Sequence, residues 1–163
     1  MRLKSLKLNQ FKNYEEVSLN FNGNVHCFYG NNGAGKTNIL DAIHYLSFTK
    51  SYFGGSDQNC IRFGYEFFAI NGEFEMPSGV SEKVSVSVKS GGEKKVKRND
   101  KEYQRFSEHI GAFPVVMITP GDIDLINNAA EVRRRFFDAV ISQFDKTYLD
   151  DVIRYNKVLM QRN

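Results

Sequence analysis

Val25-His26-Cys27-Phe28-Tyr29-Gly30-Asn31-Asn32-Gly33-Ala34-Gly35-Lys36-Thr37-Asn38-Ile39 is the stretch that decides the fold. Residues 30–37 satisfy G-x-x-x-x-G-K-[ST], a complete phosphate-binding loop, and their setting fits the motif. The apolar run 25–29 predicts a strand entering the loop. Ile39, Ile43 and Leu46 stand at helical spacing after it, with Leu40 and Ala42 widening the apolar face. A strand, a glycine-rich turn and a helix start are what phosphate binding requires. Backbone N–H groups converge on phosphate oxygens, and the helix N-terminus adds partial positive charge. Lys36 is placed to reach the β- and γ-phosphates and the Thr37 hydroxyl to ligate Mg²⁺. The sequence therefore predicts a nucleoside triphosphate site.

A chain of 163 residues holds one good core, and 41% apolar and 25% charged residues are ordinary for a globular protein. The net charge of +3 says little by itself about partners. Cys27 and Cys60 form no C-x-x-C pair, and Cys27 falls in the apolar run before the loop, which predicts a buried thiol. The N-terminus mixes charge with leucine, unlike a signal peptide, and no run approaches membrane-spanning length. These features predict a cytosolic protein.

Outward from the loop, Leu3, Leu6 and Leu8 mark a first strand, and Val17, Leu19 and Phe21 a second. Residues 52–57 read as a loop. Residues 67–75 read as a strand with Phe68, Ile70 and Phe74 on one face, and Val84, Val86 and Val88 alternate in another. Residues 94–98 followed by Asn99-Asp100 read as the arm and tip of a hairpin. Residues 115–119, after Pro114, read as a buried strand ending at Pro120-Gly121. Asn128 and Glu131 are spaced as an N-cap and its capping-box partner. The helix they open carries Val132, Phe136 and Val140, with Phe137, Ile141 and Phe144, as a core stripe. A last helix carries Leu149, Val152, Asn156 and Leu159 in a 3-4-3 seam and reaches Asn163 without a stop signal, as if cut in mid-helix.

Two strands precede the one that feeds the loop, a layout that resembles the ATPase heads of the SMC and ABC superfamily. Four stretches, Phe11-Lys12-Asn13-Tyr14, the phosphate loop, Ile118-Thr119-Pro120-Gly121-Asp122 and Arg133-Arg134-Arg135-Phe136-Phe137-Asp138, resemble the RecF family of bacterial recombination mediators. The C-terminal run 155–163 resembles the start of that family's helical lobe. The resemblance implies an α/β phosphate-loop head of ABC/SMC type, with a mixed sheet, an antiparallel β-subdomain and C-terminal helices. Residues 1–145 would form part of the head and residues 146–163 the start of the helical lobe. It implies ATP and Mg²⁺ as ligands, a nucleotide-dependent homodimer, binding to DNA junctions between single- and double-stranded segments, and recombination mediator proteins that load RecA as partners. No membrane is implied.

By resemblance, Gly30, Asn31, Asn32, Gly33, Ala34, Gly35, Lys36 and Thr37 hold the phosphates and metal, and Asn38 lies alongside. Lys12 and Asn13 match the position beside the nucleotide. The family more often has arginine where Lys12 stands, and a solvated turn lysine is the rival reading there. Asp122 occupies a loop where related heads sense metal; a helix cap after Pro-Gly is the other reading and the one the turn chemistry favours. Arg133, Arg134 and Arg135 fan over about 200° of a helix, so one is expected to pair with Glu131 or Asp138. Arg133 and Arg134 are candidates for DNA contact, against the alternative of a solvated basic face. Residues 89–105 hold seven basic and three acidic side chains, a net +4, and Lys94, Lys95, Lys97 and Arg98 are candidates for DNA phosphates, with a merely soluble hairpin as the rival. The sequence shows neither an apolar strand ending in paired acids after the loop nor a Ser-Gly-Gly-Gln signature, so ATP binding without turnover is expected of this chain. A small-molecule phosphotransferase and an SMC-like structural head are the competing classes.

Overall fold

Leu6 and Leu8 point to one side of the opening strand, β1 (Arg2–Phe11), because side chains alternate along extended backbone. Gln10 breaks that alternation with a left-handed φ of 52°, and Phe11 turns to the same side, its ring against Phe68 and Tyr45. In the computed structural model, which describes residues 1–127 and 130–162, the chain doubles back into β2 (Tyr14–Asn20). It then runs without regular structure to the phosphate loop and enters α1 (Lys36–Phe48). Four further strands follow: β3 (Phe67–Glu75), β4 (Ser81–Lys89), β5 (Lys94–Arg98) and β6 (Lys101–Glu102). They join the first two in one antiparallel sheet of order β2-β1-β3-β4-β5-β6. The β5–β6 turn is made by Asn99 and Asp100, both with positive φ (49° and 66°), as a two-residue hairpin demands.

Register fixes two faces. Phe68, Ile70, Phe74, Val84, Val86, Val88 and Val96 join Leu6 and Leu8 on one of them, all buried. The other carries Lys7, Asn71, Ser85 and Lys97, aligned across four neighbouring strands. Helix α1 lies on the apolar face, where Ala42, Tyr45 and Leu46 are fully buried. Gly72 is what allows this approach, because a Cβ there would run into the Leu46 side chain. Burying Leu46 alone contributes about 1.5–3 kcal/mol. Tyr45 is tied further, its hydroxyl donating to Asp57 Oδ1 at 2.5 Å. Leu40, expected on the same face, is 44% exposed instead; it stands one position past Ile39 and so turns away from the sheet.

Helices α2 (Asp124–Asn127), α3 (Ala130–Ile141) and α4 (Lys146–Arg162) complete the described residues. The capping pair proposed from Asn128 lies outside those residues on the Asn128 side. Three expectations are corrected. Residues 25–29 form no strand, and Val25, Cys27 and Tyr29 are exposed. Residues 115–119 have no regular structure and pair with no strand among the described residues; the Gln143 side-chain amide meets Val115 at both its N–H (2.8 Å) and its C=O (3.1 Å). The α3 stripe is not core, since no α3 residue is buried and Phe137 and Phe144 are open to solvent. The physical reason is shared. A strand exists only where a neighbour accepts its hydrogen bonds, and an apolar stripe is core only where another surface covers it. The described residues supply no such neighbour for the two runs and cover the stripe only in part, at the half-buried Phe136 and Val140. The α4 seam fares better: Leu149 is buried, and Val152 and Leu159 are half-buried on the same side.

Two buried histidines brace the helix end. His109 Nε2 meets the Leu46 carbonyl at 2.6 Å and His44 Nδ1 meets the Lys50 carbonyl at 3.1 Å. Burial holds both imidazoles below the ordinary histidine pKa. The unfolded chain, with an ordinary pKa near 6.5, therefore takes up protons first as pH falls. Stability from this source is complete above about pH 6.5 and declines below it. Thermal melts at pH 7.5 and 5.5 should show a lower Tm at the acid value, and His109→Gln should reduce that difference.

Candidate phosphate-binding site

The site begins where α1 begins. Gly35 caps the helix with φ 100°, a left-handed conformation that glycine adopts without strain, and the N–H groups of Asn38 and Ile39 return to its carbonyl. The first-turn amides ahead of them have no partner within the helix, and the first turn holds no acidic side chain. That leaves the helix N-terminus free to receive an anion. Asn32, Gly33, Gly35, Lys36, Thr37 and Asn38 line a cavity of about 300 Å³ over it. Lys36 Nζ bends back across the loop and donates to the carbonyls of Gly30 and Asn31, both at 2.8 Å. The same bonds keep Gly30 and Asn31 in the loop's frame although neither lines the cavity. The Ala34 N–H closes the loop on the Asn31 carbonyl at 3.3 Å. Thr37 is exposed at the cavity wall.

The β1–β2 turn abuts this loop. Asn13 Oδ1 accepts from Asn38 Nδ2 at 2.7 Å, and a Cβ on Gly35 would lie 2.5 Å from Asn13 Nδ2. Gly35 is thus required twice, by its backbone and by this approach. Tyr14 OH reaches the Ala34 carbonyl at 3.4 Å, and Arg62 donates to the Asn13 carbonyl at 2.5 Å. Lys12 is not a solvated turn lysine. Its ammonium pairs with the fully buried Asp41 at 2.6 Å and stands over the Phe53 ring at 5.4 Å. Reading the sequence missed Asp41, Tyr14 and Arg62. Asp41 sits at the fourth position after Thr37 with no motif to mark it, and its partner is remote in sequence.

Asp122 lies in a short turn, Pro120–Ile123. Its carboxylate accepts from the Thr119 N–H and hydroxyl and from Tyr52 OH at 2.7 Å. The Tyr52 hydrogen bond, more than any other influence, holds its pKa below the ordinary aspartate value. Asp122 thus stands inside the turn and reaches back to hold Thr119 ahead of it, which differs from the cap position its place after Pro-Gly led one to expect.

The basic candidates divide by face. Lys94 turns inward, with its ammonium 3.0 Å from Asp57, bonded to the Thr49 carbonyl and above the Tyr45 ring. Arg98 grips Glu82 with two hydrogen bonds and lies over Phe113. Both belong to the sheet's covered side, which corrects their reading as DNA contacts. A residue two positions along a strand shares its face, so Val96 drags Lys94 and Arg98 inward while Lys95 and Lys97 point out. Lys95 pairs with Glu93 at 2.9 Å. In the arginine run, Arg135 pairs with Glu131 as the spacing predicts, Arg133 donates to the Leu125 carbonyl at 3.3 Å, and Arg134 is exposed. Among the described residues no helix is long and apolar enough to cross a membrane.

A cradle on a helix N-terminus, behind a lysine-bearing glycine loop and beside an antiparallel sheet, defines a phosphate-loop nucleotide-binding head. Residues 5–148 match the AAA domain model, and the chain belongs to that family. Within it, the chain is similar to RecF, the DNA replication and repair protein. It is 49% identical over all 163 residues to RecF of Bacteroides fragilis and spans 44% of that protein's length. A solved structure of the recombination mediator RecF with ATP superposes with a TM-score of 0.91 at 33% identity, covering 98% of this chain and 43% of that one. An SMC ATPase structure, at 20% identity and a TM-score of 0.67 over 85% of this chain and 98% of its own, shares the fold.

Proposed function

We propose that this chain is the ATP-binding part of a RecF-like recombination mediator acting in DNA replication and repair. The observation that carries the reading is the cradle itself: six residues line one cavity at the start of α1, with Lys36 already folded across the loop. In this reading the loop amides and Lys36 bind the β- and γ-phosphates, and the exposed Thr37 hydroxyl ligates Mg²⁺ together with phosphate oxygens. Adenine as the base is supported by the likeness to RecF with ATP. The chain spans under half the length of its RecF relatives. Residues that complete hydrolysis, and surfaces that cover residues 25–29, residues 115–119 and the α3 stripe, are assigned in this reading to the rest of that protein. Residues 146–163 then begin its helical lobe, with Leu149 as the buried contact to the rest of the chain. ATP-dependent homodimerisation, junction DNA and mediator partners are the further parts of the same reading.

For DNA, the supporting surface is the sheet's open face. Lys7 and Lys97 flank Asn71 and Ser85 in one row across β1, β3, β4 and β5, Lys83 stands one row away, and Lys95 lies beyond on β5. Glu73 and Glu102 temper the charge there. Lysine, asparagine and serine without an aromatic platform suit the phosphate backbone of a duplex better than stacked single-stranded bases.

Titration calorimetry should detect ATP binding to the wild-type full-length protein and none to Lys36→Ala; unaltered affinity in that variant would refute the phosphate-loop assignment. The combined variant Lys7→Gln/Lys83→Gln/Lys97→Gln should lower the slope of log K for duplex DNA against log salt by about 2–3, at roughly 0.9 per lost phosphate contact. An unchanged slope would remove the sheet face from DNA binding.

A further inference from the structure

Asp41 is the one fully buried acidic side chain of the described residues, and the nucleotide reading gives it no role. It lies in α1, outside the cavity lining. Its carboxylate accepts three hydrogen bonds or ion pairs from two segments: Lys12 Nζ at 2.6 Å from the β1–β2 turn, and Ser51 Oγ at 2.8 Å and the Tyr52 N–H at 2.7 Å from the stretch after α1. Burying a carboxylate costs several kcal/mol before its partners offset it, and a buried pair is often no better for stability than apolar residues of the same size. The arrangement is therefore better explained by what it fixes in place than by what it adds to stability.

What it fixes is the β1–β2 turn. Lys12 has a left-handed φ of 52°, outside the usual range for a residue with a side chain, and its N–H is held by the Cys60 carbonyl at 2.8 Å. Its ammonium is anchored on α1 through Asp41, and its backbone carries the chain directly into the next residue. That residue is Asn13, whose amide contacts Asn38 and closes on Gly35. Asn38 lines the cavity, so the bond it donates to Asn13 helps hold one wall of the cradle in place. The path from Asp41 to the cradle is thus Asp41, Lys12, the turn, Asn13 and Asn38, with every link a close contact. A site held within about 0.5 Å by locked neighbours binds more tightly than one whose wall can move.

We propose that Asp41 is a positioning residue for the nucleotide: through Lys12 it locks the β1–β2 turn against the phosphate loop and so sets the affinity for the triphosphate. This rests on the reading of the loop as an ATP site. The Tyr52 N–H takes the other oxygen, Oδ1, and ties down the segment after α1, while the Ser51 hydroxyl shares Oδ2 with Lys12.

A double-mutant cycle in the full-length protein tests it, with ATP affinity and Tm measured for every variant. Asp41→Asn should weaken ATP binding about tenfold and Asn13→Ala by a similar factor. The double variant should be no weaker than either alone, because both changes release the same wall. Tyr45→Phe, which removes a hydroxyl of the same helix that is bonded to Asp57 and lies away from Asp41, should lower Tm and leave affinity unchanged. Where Asp41→Asn does not fold, Lys12→Met takes its place in the cycle with the same expectation. Wild-type affinity in the Asp41 or Lys12 variant, or effects that multiply in the double variant, would overturn the proposal. Loss of ATP binding in the wild type, or its survival in Lys36→Ala, would instead refute the nucleotide reading beneath it.

Discussion

The seating of α1 on the apolar face of the sheet is the contact on which the rest depends. A phosphate loop works only if its glycines are free to follow the phosphates while both flanks stay still. Here the downstream flank is a helix whose Ala42, Tyr45 and Leu46 are wholly buried, with Gly72 cleared of a side chain to admit it. The helix end is fastened as well: Thr49 caps it by returning its N–H to Tyr45, His109 meets the Leu46 carbonyl, and Lys94 and Asp57 close around Tyr45. The charged residues of the β5 hairpin that face inward are part of this fastening. Their cost of burial is offset by carboxylate and carbonyl partners, so they hold structure where a count of charges along the chain would place them on a nucleic-acid surface.

The same helix orients the cradle. Its N-terminus supplies unpaired amides and the positive end of its dipole, and its second turn supplies the buried Asp41 that reaches back to Lys12. One rigid element thereby presents the anion site and also holds the turn that borders it. The upstream flank is different. Residues 25–29 run into Gly30 without strand pairing and with only Phe28 half-buried, so the loop is anchored from behind by Lys36, which ties the Gly30 and Asn31 carbonyls to the helix side. A triphosphate entering the cradle competes for that ammonium, exchanging two carbonyl contacts for charged oxygens, and charge-assisted bonds are the stronger kind.

Local physics made part of this legible in the sequence. Period-two alternation located β3 to the residue, from Phe67 to Glu75, and Asn99-Asp100 announced its hairpin through tolerance of positive φ. The phosphate loop was readable because its chemistry is a contiguous pattern. What failed depends on remote partners. The apolar runs at 25–29 and 115–119 have strand composition, yet hydrogen-bonded neighbours make a strand, and none is present for them among the described residues. The α3 stripe has core spacing but only partial cover, with Phe136 and Val140 half-buried and Phe137 and Phe144 open to solvent. Likewise Lys12 read as a nucleotide neighbour or a solvated turn lysine, and Lys94 and Arg98 as contacts to DNA phosphates, because Asp41, Asp57 and Glu82 lie 29, 37 and 16 positions away. Sequence distance hides an ion pair that the fold makes obvious.

The central claim is that this chain recognises a nucleotide by its phosphates, on the cradle at the start of α1. Competition binding with a fluorescent ATP analogue tests it most directly. Inorganic tripolyphosphate and ADP should displace the analogue in the presence of Mg²⁺, while AMP and adenosine should displace it poorly. Equal displacement by adenosine and ATP would contradict the account, because it would place recognition on the base and leave the loop without its ligand.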